Sequence, residues 1–590
     1  MLTELIASIW HQVRLDDIMM HLEHLTELDR YQASLGMERA AERIASTAKS
    51  LGVEDVKVEC FTADGATSWW TFQAPTAWTP MVAQLEIRTN SGCVVAVDHA
   101  VQPCTIATYS APTPAGGLVT RVADLRGDVS GALVVVGAAE FSPQRIASLT
   151  ARRAAGFVTD ALSRDEFPGR IELAADTPLF GFSVTSVQRR AIEAAVGAGA
   201  QALIRVDVDR SARMPVVTGR LPGRSNDELW LTAHLCHPRP GANDNASGAA
   251  ALLGVAATLV DRLTARRRDF ERSVRFVWGP EFVGVAALLH QRYGSSGRGG
   301  RPAAVINLDM VGEDPIQCGV PLVVERTPEW CPSVITPLAE YVVESVYDRS
   351  DAHPGTWRTG PFLGYSDHAL FANFADSTWR TPAIQLWHPS DPFNHSAGDS
   401  VDKVSPVQMR RATTIGCVLS EVLAAGVVWS REMLDRAVDR WCARELALAT
   451  VASEQHRDVD GGTWSRRLFD HVRAHNQLLR TLADDGPIAY RCPTIAAPKF
   501  VGRWSGPFNY RGLLAALPSQ RATEIRELFA ADKRNYAVLT HIAMMAEICE
   551  GCESTADAAA LALRAPIDRA AAQQLWTALL ESGWLAEARS

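Results

Sequence analysis

Histidine and carboxylate side chains follow a series of apolar segments in the middle of the chain. His234 ends the run Leu-Trp-Leu-Thr-Ala-His, and Asp244 lies in the loop Gly-Ala-Asn-Asp-Asn-Ala-Ser-Gly that comes next. Glu281 and Asp309 each follow a further apolar run, and His395 lies far downstream in Asp-Pro-Phe-Asn-His. Imidazole and carboxylate groups are the ligands of catalytic zinc, which keeps one coordination position open for water. The set therefore predicts a Zn²⁺ site.

The same set of residues allows either one zinc ion or two. Two ions a few ångströms apart need a bridging carboxylate, and Asp244 in its glycine-rich loop is the candidate for that role. Each residue alone has a simpler explanation, because a histidine at a strand end is often structural and an aspartate before a helix is often a cap. The ordered set, rather than any one residue, is what indicates a metal site.

Strand-like and helix-like segments alternate through the part of the chain that carries these residues. They comprise predicted strands at 229–234, 274–279 and 303–309 and predicted helices at 250–260 and 407–424. This alternation predicts an α/β fold with a mixed, largely parallel sheet and helices on both faces. Open sheets of this kind place their sites at the carboxyl ends of the strands, which is where the candidate ligands stand.

The remaining regions differ in character from this α/β segment. The beginning of the chain predicts two amphipathic helices and a strand up to about residue 58, whereas short β-type runs separated by Gly and Pro follow it. The end is mostly helical, with three short helices between 536 and 584. We predict a catalytic domain split between 1–70 and 210–427, an inserted β-rich domain at 75–207 and a helical C-terminal region at 430–590.

Composition excludes several classes of function. The 590 residues include 58 Lys and Arg against 67 Asp and Glu, a formal net charge of −9, which is not the electrostatic footprint of a nucleic-acid binder. No uninterrupted apolar run reaches the roughly 18 residues of a membrane span. The 11 cysteines lack framework spacing, and the first residues lack the pattern of a signal peptide, so we expect reduced thiols in the cytoplasm.

Taken in order, the motifs resemble those of the co-catalytic zinc aminopeptidases of metallopeptidase family M28. The Ala-His strand end of that family corresponds to the one at His234, and its Gly-x-Asn/Asp-Asp-x-x-Ser-Gly loop places a bridging aspartate at Asp244. Its Asn-x-Asp-Met strand end implies Asp309 as a ligand, and its last histidine matches His395. The resemblance implies the zinc aminopeptidase fold, with Zn²⁺ as the cofactor.

The resemblance extends to the pocket and to the added regions. The Ser-Asp-His motif of the family recurs with Asp367 and His368, which implies that both line the pocket, and Tyr365 or His368 would then stabilise the oxyanion. The segment 75–207 resembles a protease-associated domain, and the end of the chain resembles a winged helix. We expect the winged-helix module to serve subunit or interdomain contact, including a homo-oligomer, rather than DNA binding.

One departure from the family pattern lies next to the first histidine. The aspartate that orients this ligand in the family is replaced by Cys236, and such a loss is expected to weaken the site. Either Cys236 or the adjacent His237 could join the metal instead. We favour a packing or supporting role behind the ligands for Cys236.

A second departure concerns the glutamate pair of the family, in which the first member is a general base and the second a metal ligand. This chain has Pro280, Glu281 and Phe282. If the following glycine is aligned, Glu281 is the base and Phe282 replaces the ligand; if the pair is shifted by one, Glu281 is the ligand and Pro280 replaces the base. We prefer the first alignment because it needs no gap.

These residues and the resemblance together predict a zinc-dependent hydrolase. The expected reaction is cleavage of an amide bond in a small peptide or an amino-acyl conjugate, with Glu281 accepting a proton from water. The alternative is a metal-binding, aminopeptidase-like protein with degraded catalysis that acts as a binding or assembly module. The substitutions at Cys236 and Pro280 keep that alternative open.

Overall fold

A computed structural model gives the fold of the protein, and its α/β class confirms the prediction. It describes residues 2–164, 166–266, 270–294, 301–349, 355–424, 430–456, 462–495 and 497–588. The predicted boundary between the catalytic domain and the C-terminal region, at 427–430, falls almost entirely outside the described residues.

The helices are α1 Leu2–Gln12, α2 Leu15–Thr26, α3 Leu35–Ser50, α4 Pro143–Ala151, α5 Ser186–Val196, α6 Gly248–Arg266, α7 Val283–Leu289, α8 Ile335–Arg349, α9 Ala369–Ala372, α10 Pro406–Ala424, α11 Arg431–Gln455, α12 Thr463–Asp484, α13 Tyr510–Ala516, α14 Ser519–Ala531, α15 Asn535–Met545, α16 Cys552–Ala562 and α17 Arg569–Glu581. The strands are β1 Glu54–Phe61, β2 Ser68–Trp69, β3 Phe72–Gln73, β4 Thr79–Thr89, β5 Gly92–Asp98, β6 Leu118–Asp124, β7 Leu133–Val136, β8 Gly156–Thr159, β9 Phe180–Ser183, β10 Gln201–Asp209, β11 Met214–Leu221, β12 Glu228–His234, β13 Ser273–Gly279, β14 Ala304–Leu308, β15 Leu322–Glu325, β16 Trp357–Gly360, β17 Ala383–Trp387, β18 Phe500–Gly502 and β19 Leu585–Glu587.

An eight-stranded sheet forms the centre of the molecule, in the order β1-β11-β13-β12-β14-β17-β15-β16. Its four central strands, β13, β12, β14 and β17, are parallel, whereas β1, β11 and the β15–β17 pair introduce antiparallel neighbours. Every residue of β12 and β13 is buried, as expected for parallel strands covered on both faces. The sheet therefore holds the carboxyl ends of β12, β13 and β14 side by side.

Helix α6 lies in a long apolar stretch of the chain. The stretch Ala242–Ala265 is long and apolar enough to cross a membrane, with a mean hydropathy of 1.3 over an 18-residue window, but 72% of that window is buried inside the protein. Its side chains pack in the main core with α2, α10 and the sheet. Packing between the sheet and other helices accounts for this apolarity.

A seven-stranded sheet, in the order β5-β4-β10-β6-β7-β8-β9, lies between residues 79 and 209. One of its loops contacts the loop that carries His395. The Arg170 backbone N–H donates to the His395 carbonyl over 2.7 Å, and the Ala397 N–H donates to the Pro168 carbonyl over 2.9 Å. The segment that the sequence marks as an insertion thus supports one candidate ligand.

The N-terminal and C-terminal regions are mainly helical. Three helices precede β1, where the sequence predicted two, because Leu5, Ile6 and Ile9 give residues 2–12 an apolar face of their own. At the other end, α15, α16 and α17 occupy the segment in which three helices were predicted, and β18 pairs with β19 beside them. The winged-helix interpretation of this end stays a prediction.

Candidate metal centre

The parallel strands bring the predicted ligands together at one edge of the central sheet. His234 is the last residue of β12, and Asp309 follows β14, the neighbouring strand. As a result, His234 Nε2 lies 3.0 Å from Asp309 Oδ1. Both side chains are more than nine-tenths buried. The strand pairing alone thus brings two of the candidate ligands into contact.

Asp244 lies between this pair and two further histidines. Its Oδ1 is 3.2 Å from His234 Nε2, and its Oδ2 is 3.2 Å from His395 Nε2 and 3.4 Å from His237 Nε2. Each oxygen of one carboxylate therefore faces a different set of imidazoles. A carboxylate in that position can bridge two cations.

The contacts of the His237 ring indicate whether the site fits a metal ion. Its Nδ1 lies 2.7 Å from the Pro238 carbonyl, which can only accept, so Nδ1 carries the proton and Nε2 carries a lone pair. Burial lowers the pKa of the His237 imidazole to about 3, so the ring is neutral at pH 7. The Nε2 is buried, has no hydrogen-bond partner among the described residues, and faces Asp244 Oδ2. Two acceptors in contact are unfavourable, and a cation between them removes the conflict.

The ring of His234 is oriented in a similar way. Its Nδ1 lies 3.2 Å from the Cys236 carbonyl, an arrangement in which a backbone acceptor fixes the tautomer of a ligating histidine. Burial by itself lowers the pKa of His234, but the carboxylates of Asp309 and Glu281 and the hydrogen bond to Asp244 raise it well above its usual value. The acids around this imidazole thus favour a positive charge at its position.

Glu281 lies beside this half of the centre. It forms a group with His234 and Asp309 in which one ligand-capable atom of each residue lies within 4.8 Å of the others. Burial raises the pKa of the Glu281 carboxyl to about 8, and nearby Asp309 and Asp367 act in the same direction. The carboxyl group can therefore hold a proton near neutral pH in the absence of a cation.

Cys236 and Phe282, the two substituted positions, both lie next to Glu281. The backbone N–H of Glu281 donates to Cys236 Sγ over 3.2 Å. The backbone N–H of Phe282 donates to Asp367 Oδ1 over 2.6 Å, while its ring packs on the cluster that contains Val285 and Leu370. The thiol thus lies behind the ligands, and Asp367 holds the turn that carries Glu281.

Two predicted pocket residues lie elsewhere. The Tyr365 hydroxyl donates to the Lys533 carbonyl over 3.2 Å, and its ring packs edge-on against Trp387. His368 is fully buried, with Nε2 2.8 Å from Glu325 Oε1. Neither residue lines either of the cavities at the centre. Other elements engage both side chains, and the expectation that one of them stabilises the oxyanion stays a prediction.

The loop that carries Asp244 is held by contacts from distant segments. The Asp399 carboxylate accepts the backbone N–H groups of Asn243 and Asp244, over 2.7 and 3.0 Å. The Asn245 amide donates to the carbonyls of His234 and Leu308, at the ends of β12 and β14, over 3.2 and 3.0 Å. One loop and two strand ends are thus tied into a single unit.

Arg30 and Gly241 hold the segment that carries His237. The Arg30 guanidinium is fully buried and donates to the carbonyls of Leu235 and Gly241, over 2.9 and 3.1 Å. The backbones of Arg30 and His237 also exchange two hydrogen bonds of 2.9 and 2.7 Å. Gly241 has a positive φ of 52°, and a Cβ there would lie 2.7 Å from His237 Nδ1. No motif in the sequence points to Arg30, because the carbonyls of Leu235 and Gly241 lie more than 200 residues away along the chain.

Two cavities adjoin the centre. A small one of about 60 Å³ is lined by His234, His237, Asp244, Glu281 and His395, among others. A larger one of about 770 Å³ shares Gln32, Tyr109, Arg170, Glu172 and Glu281 with it and reaches residues 508–512 of the C-terminal region. Three parts of the chain therefore surround the space next to the candidate ligands.

Comparisons with known proteins give a family match and two similar solved structures. Residues 216–419 match the family model described as peptidase family M28. The chain is similar to BSAP, a zinc aminopeptidase from Bacillus subtilis, with a TM-score of 0.50 and 16% identity, covering 70% of this chain and 95% of that one. It is also similar to a protein from Clostridium acetobutylicum, with a TM-score of 0.51 and 15% identity, covering 72% and 84% of the two chains. A search of curated proteins gives no match.

At such low identities, the structural similarities establish the fold only. The family match is to the segment that forms most of the central sheet and contains all the candidate ligands described above. Residues 216–419 are therefore similar to peptidase family M28.

The contacts of Asp399 lead to a first testable prediction. Replacement Asp399→Ala leaves two buried backbone N–H groups without an acceptor, and each unsatisfied group costs about 1–3 kcal/mol. We expect a decrease of about 3 kcal/mol in the free energy of unfolding, measured by urea denaturation with chelator present. Asp402→Ala, which changes an exposed acid three residues away, is the control. Equal stabilities of the two variants would show that Asp399 does not hold the loop.

Proposed function

We propose that the protein is a zinc-dependent hydrolase that cleaves an amide bond in a small peptide or an amino-acyl conjugate, as an aminopeptidase or amidase does. The position of Asp244, with one oxygen facing each of two groups of imidazoles, is the observation that carries this proposal. The match of residues 216–419 to a peptidase family and the similarity to a zinc aminopeptidase support it.

We further propose that two zinc ions bind. His234, Asp309 and Asp244 Oδ1 would hold one ion, and His237, His395 and Asp244 Oδ2 would hold the other. The resemblance to the family implies a glutamate ligand where this chain has Phe282. His237 is not one of the residues that the family pattern marks as ligands, but its Nε2 faces the Asp244 carboxylate here. We therefore assign His237 to the place of the missing ligand.

This assignment leaves Glu281 free to act on a proton. Zinc, when bound, acts as a Lewis acid and lowers the pKa of a bound water to about 7. Glu281 lines both cavities, and we propose that its carboxylate accepts a proton from water and passes it to the departing amine. The hydrogen bond from its own N–H to Cys236 Sγ fixes the backbone from which the carboxylate projects. These contacts favour the alignment in which Glu281 is the base.

The larger cavity supports a small, peptide-like substrate. Its volume of about 770 Å³ is within the range of small-molecule sites, about 300–1,000 Å³. Its wall carries both signs of charge, in the ion pair of Arg170 with Glu172 and in the cation Arg511. Such a wall can bind an ammonium group and a carboxylate of one substrate. We therefore propose that the inserted and C-terminal regions select the substrate.

We also propose that the protein works in the cytoplasm. All 11 cysteines are free thiols in the structure, as expected for a reducing compartment. The partner that we propose is the small substrate itself. A homo-oligomer formed through the C-terminal module stays a prediction.

A test of the base is the variant Glu281→Gln, which keeps the shape of the side chain but cannot accept the proton. We expect kcat for an aminoacyl arylamide to decrease by about 10²–10⁴-fold, the usual contribution of a general base, with zinc content unchanged. Glu42→Gln, at an exposed position, is the control. Full activity of Glu281→Gln would exclude the proposed role, and zinc-loaded protein without any hydrolysis would favour the binding-module alternative.

A test of the replaced ligand compares His237→Ala with His237→Glu. We expect His237→Ala to hold one zinc ion fewer per chain than the wild type after dialysis against a weak chelator, because it removes one ligand of three. His237→Glu should retain that ion, since a carboxylate also ligates zinc. Metal content measured by plasma mass spectrometry is the readout, and His11→Ala is an exposed control. Full zinc retention by His237→Ala would contradict the assignment.

A further inference from the structure

A second cluster of zinc-type ligands lies outside the candidate metal centre. His471 and His475 belong to α12, and Glu329 follows β15 by four residues. Glu329 Oε1 is 3.3 Å from His471 Nε2, and Glu329 Oε2 is 2.9 Å from His475 Nδ1. The three ligand-capable atoms all lie within 4.8 Å of one another. The cluster thus offers two imidazoles and one carboxylate at a single point.

The spacing and packing of these residues fix their directions. Histidines four residues apart lie on the same face of a helix. The His475 ring packs against Trp441, with 5.1 Å between the ring centres. Glu329 is followed by Trp330, which is fully buried and packs edge-on against Phe362. Since neighbouring residues anchor both sides of the cluster, the ligands are already oriented before any ion arrives.

The space beside the cluster is small and shielded. It has a volume of about 10 Å³, which corresponds to about one water-sized atom. Leu468, Val472 and Leu561 contribute apolar surface to its wall. The side chains of Glu329 and His475 are 12% and 10% exposed. The site can hold an ion but has no room for a substrate.

Two arginines also line this space, and a carboxylate engages both of them. Arg326 donates to the two oxygens of Glu445 over 2.9 Å each, and Arg564 also pairs with Glu445. Their charges are therefore partly compensated by a group other than Glu329. The carboxylate of Glu329 therefore faces the imidazoles of His471 and His475 rather than these arginines.

We propose that Glu329, His471 and His475 bind a structural zinc ion, separate from the proposed catalytic ions. Two histidines and a carboxylate form a known zinc ligand set, and a water could supply the fourth position. Glu329 belongs to the segment that matches the peptidase family, whereas both histidines belong to the C-terminal region. The ion would therefore cross-link the catalytic sheet and the region that supplies Tyr510 and Arg511 to the larger cavity.

The test counts zinc in the full-length protein after loading with zinc alone and dialysis against a weak chelator. We expect the wild type to hold one more ion than His475→Ala, and His456→Ala, which changes a histidine at the end of α11, to match the wild type. We also expect chelator to lower the melting temperature of the wild type more than that of His475→Ala, since the ion binds only the folded protein.

A second variant and a second genetic background complete the zinc-counting experiment. Glu329→Gln keeps the size of the side chain and weakens ligation, so it replaces His475→Ala if that variant does not fold. The same variants made on an Asp244→Asn background separate this proposal from the proposed function, because the structural ion should remain when the catalytic ions are lost. Equal zinc content in wild type, His475→Ala and Glu329→Gln would overturn the proposal and leave a hydrogen-bonded cluster alone.

Discussion

The structure of the candidate centre depends on the position of one carboxylate, that of Asp244. It lies among three imidazoles at distances of 3.2–3.4 Å, with a different oxygen facing each group. Placing so many polar groups together in a buried site is costly unless they are paired or bind a metal. The rest of the centre serves to hold this arrangement. Asp399 fixes the loop, Asn245 joins it to two strand ends, and Arg30 secures the segment with His237.

The same arrangement supports the proposal that His237 takes the place of the glutamate ligand that the family resemblance implies. Phe282 places an apolar ring in the core where the resemblance implies a glutamate. His237 supplies an imidazole to the other side of Asp244, with its tautomer fixed by the Pro238 carbonyl. Cys236, in place of an aspartate, contacts the backbone of Glu281. Phe282, His237 and Cys236 are therefore related, because they contact Asp367, Asp244 and the backbone of Glu281, which lie close together.

The sequence was most informative where strand geometry decides the position of a side chain. His234 and Asp309 end neighbouring parallel strands, so their proximity follows from the fold class. The sequence could not choose between Cys236 and His237, because the choice depends on which side chain turns towards Asp244. The motif that contains His368 gives no information on the direction of the ring, and in the structure this ring contacts Glu325.

The central claim is that Asp244 bridges two ions and that His237 binds one of them. An anomalous difference map at the zinc edge, from a crystal of the zinc-loaded protein, tests this most directly. We predict two peaks at the centre, one beside each oxygen of Asp244, with His237 Nε2 next to the peak shared with His395. A single peak beside His234 and Asp309, with His237 turned away from it, would contradict the account.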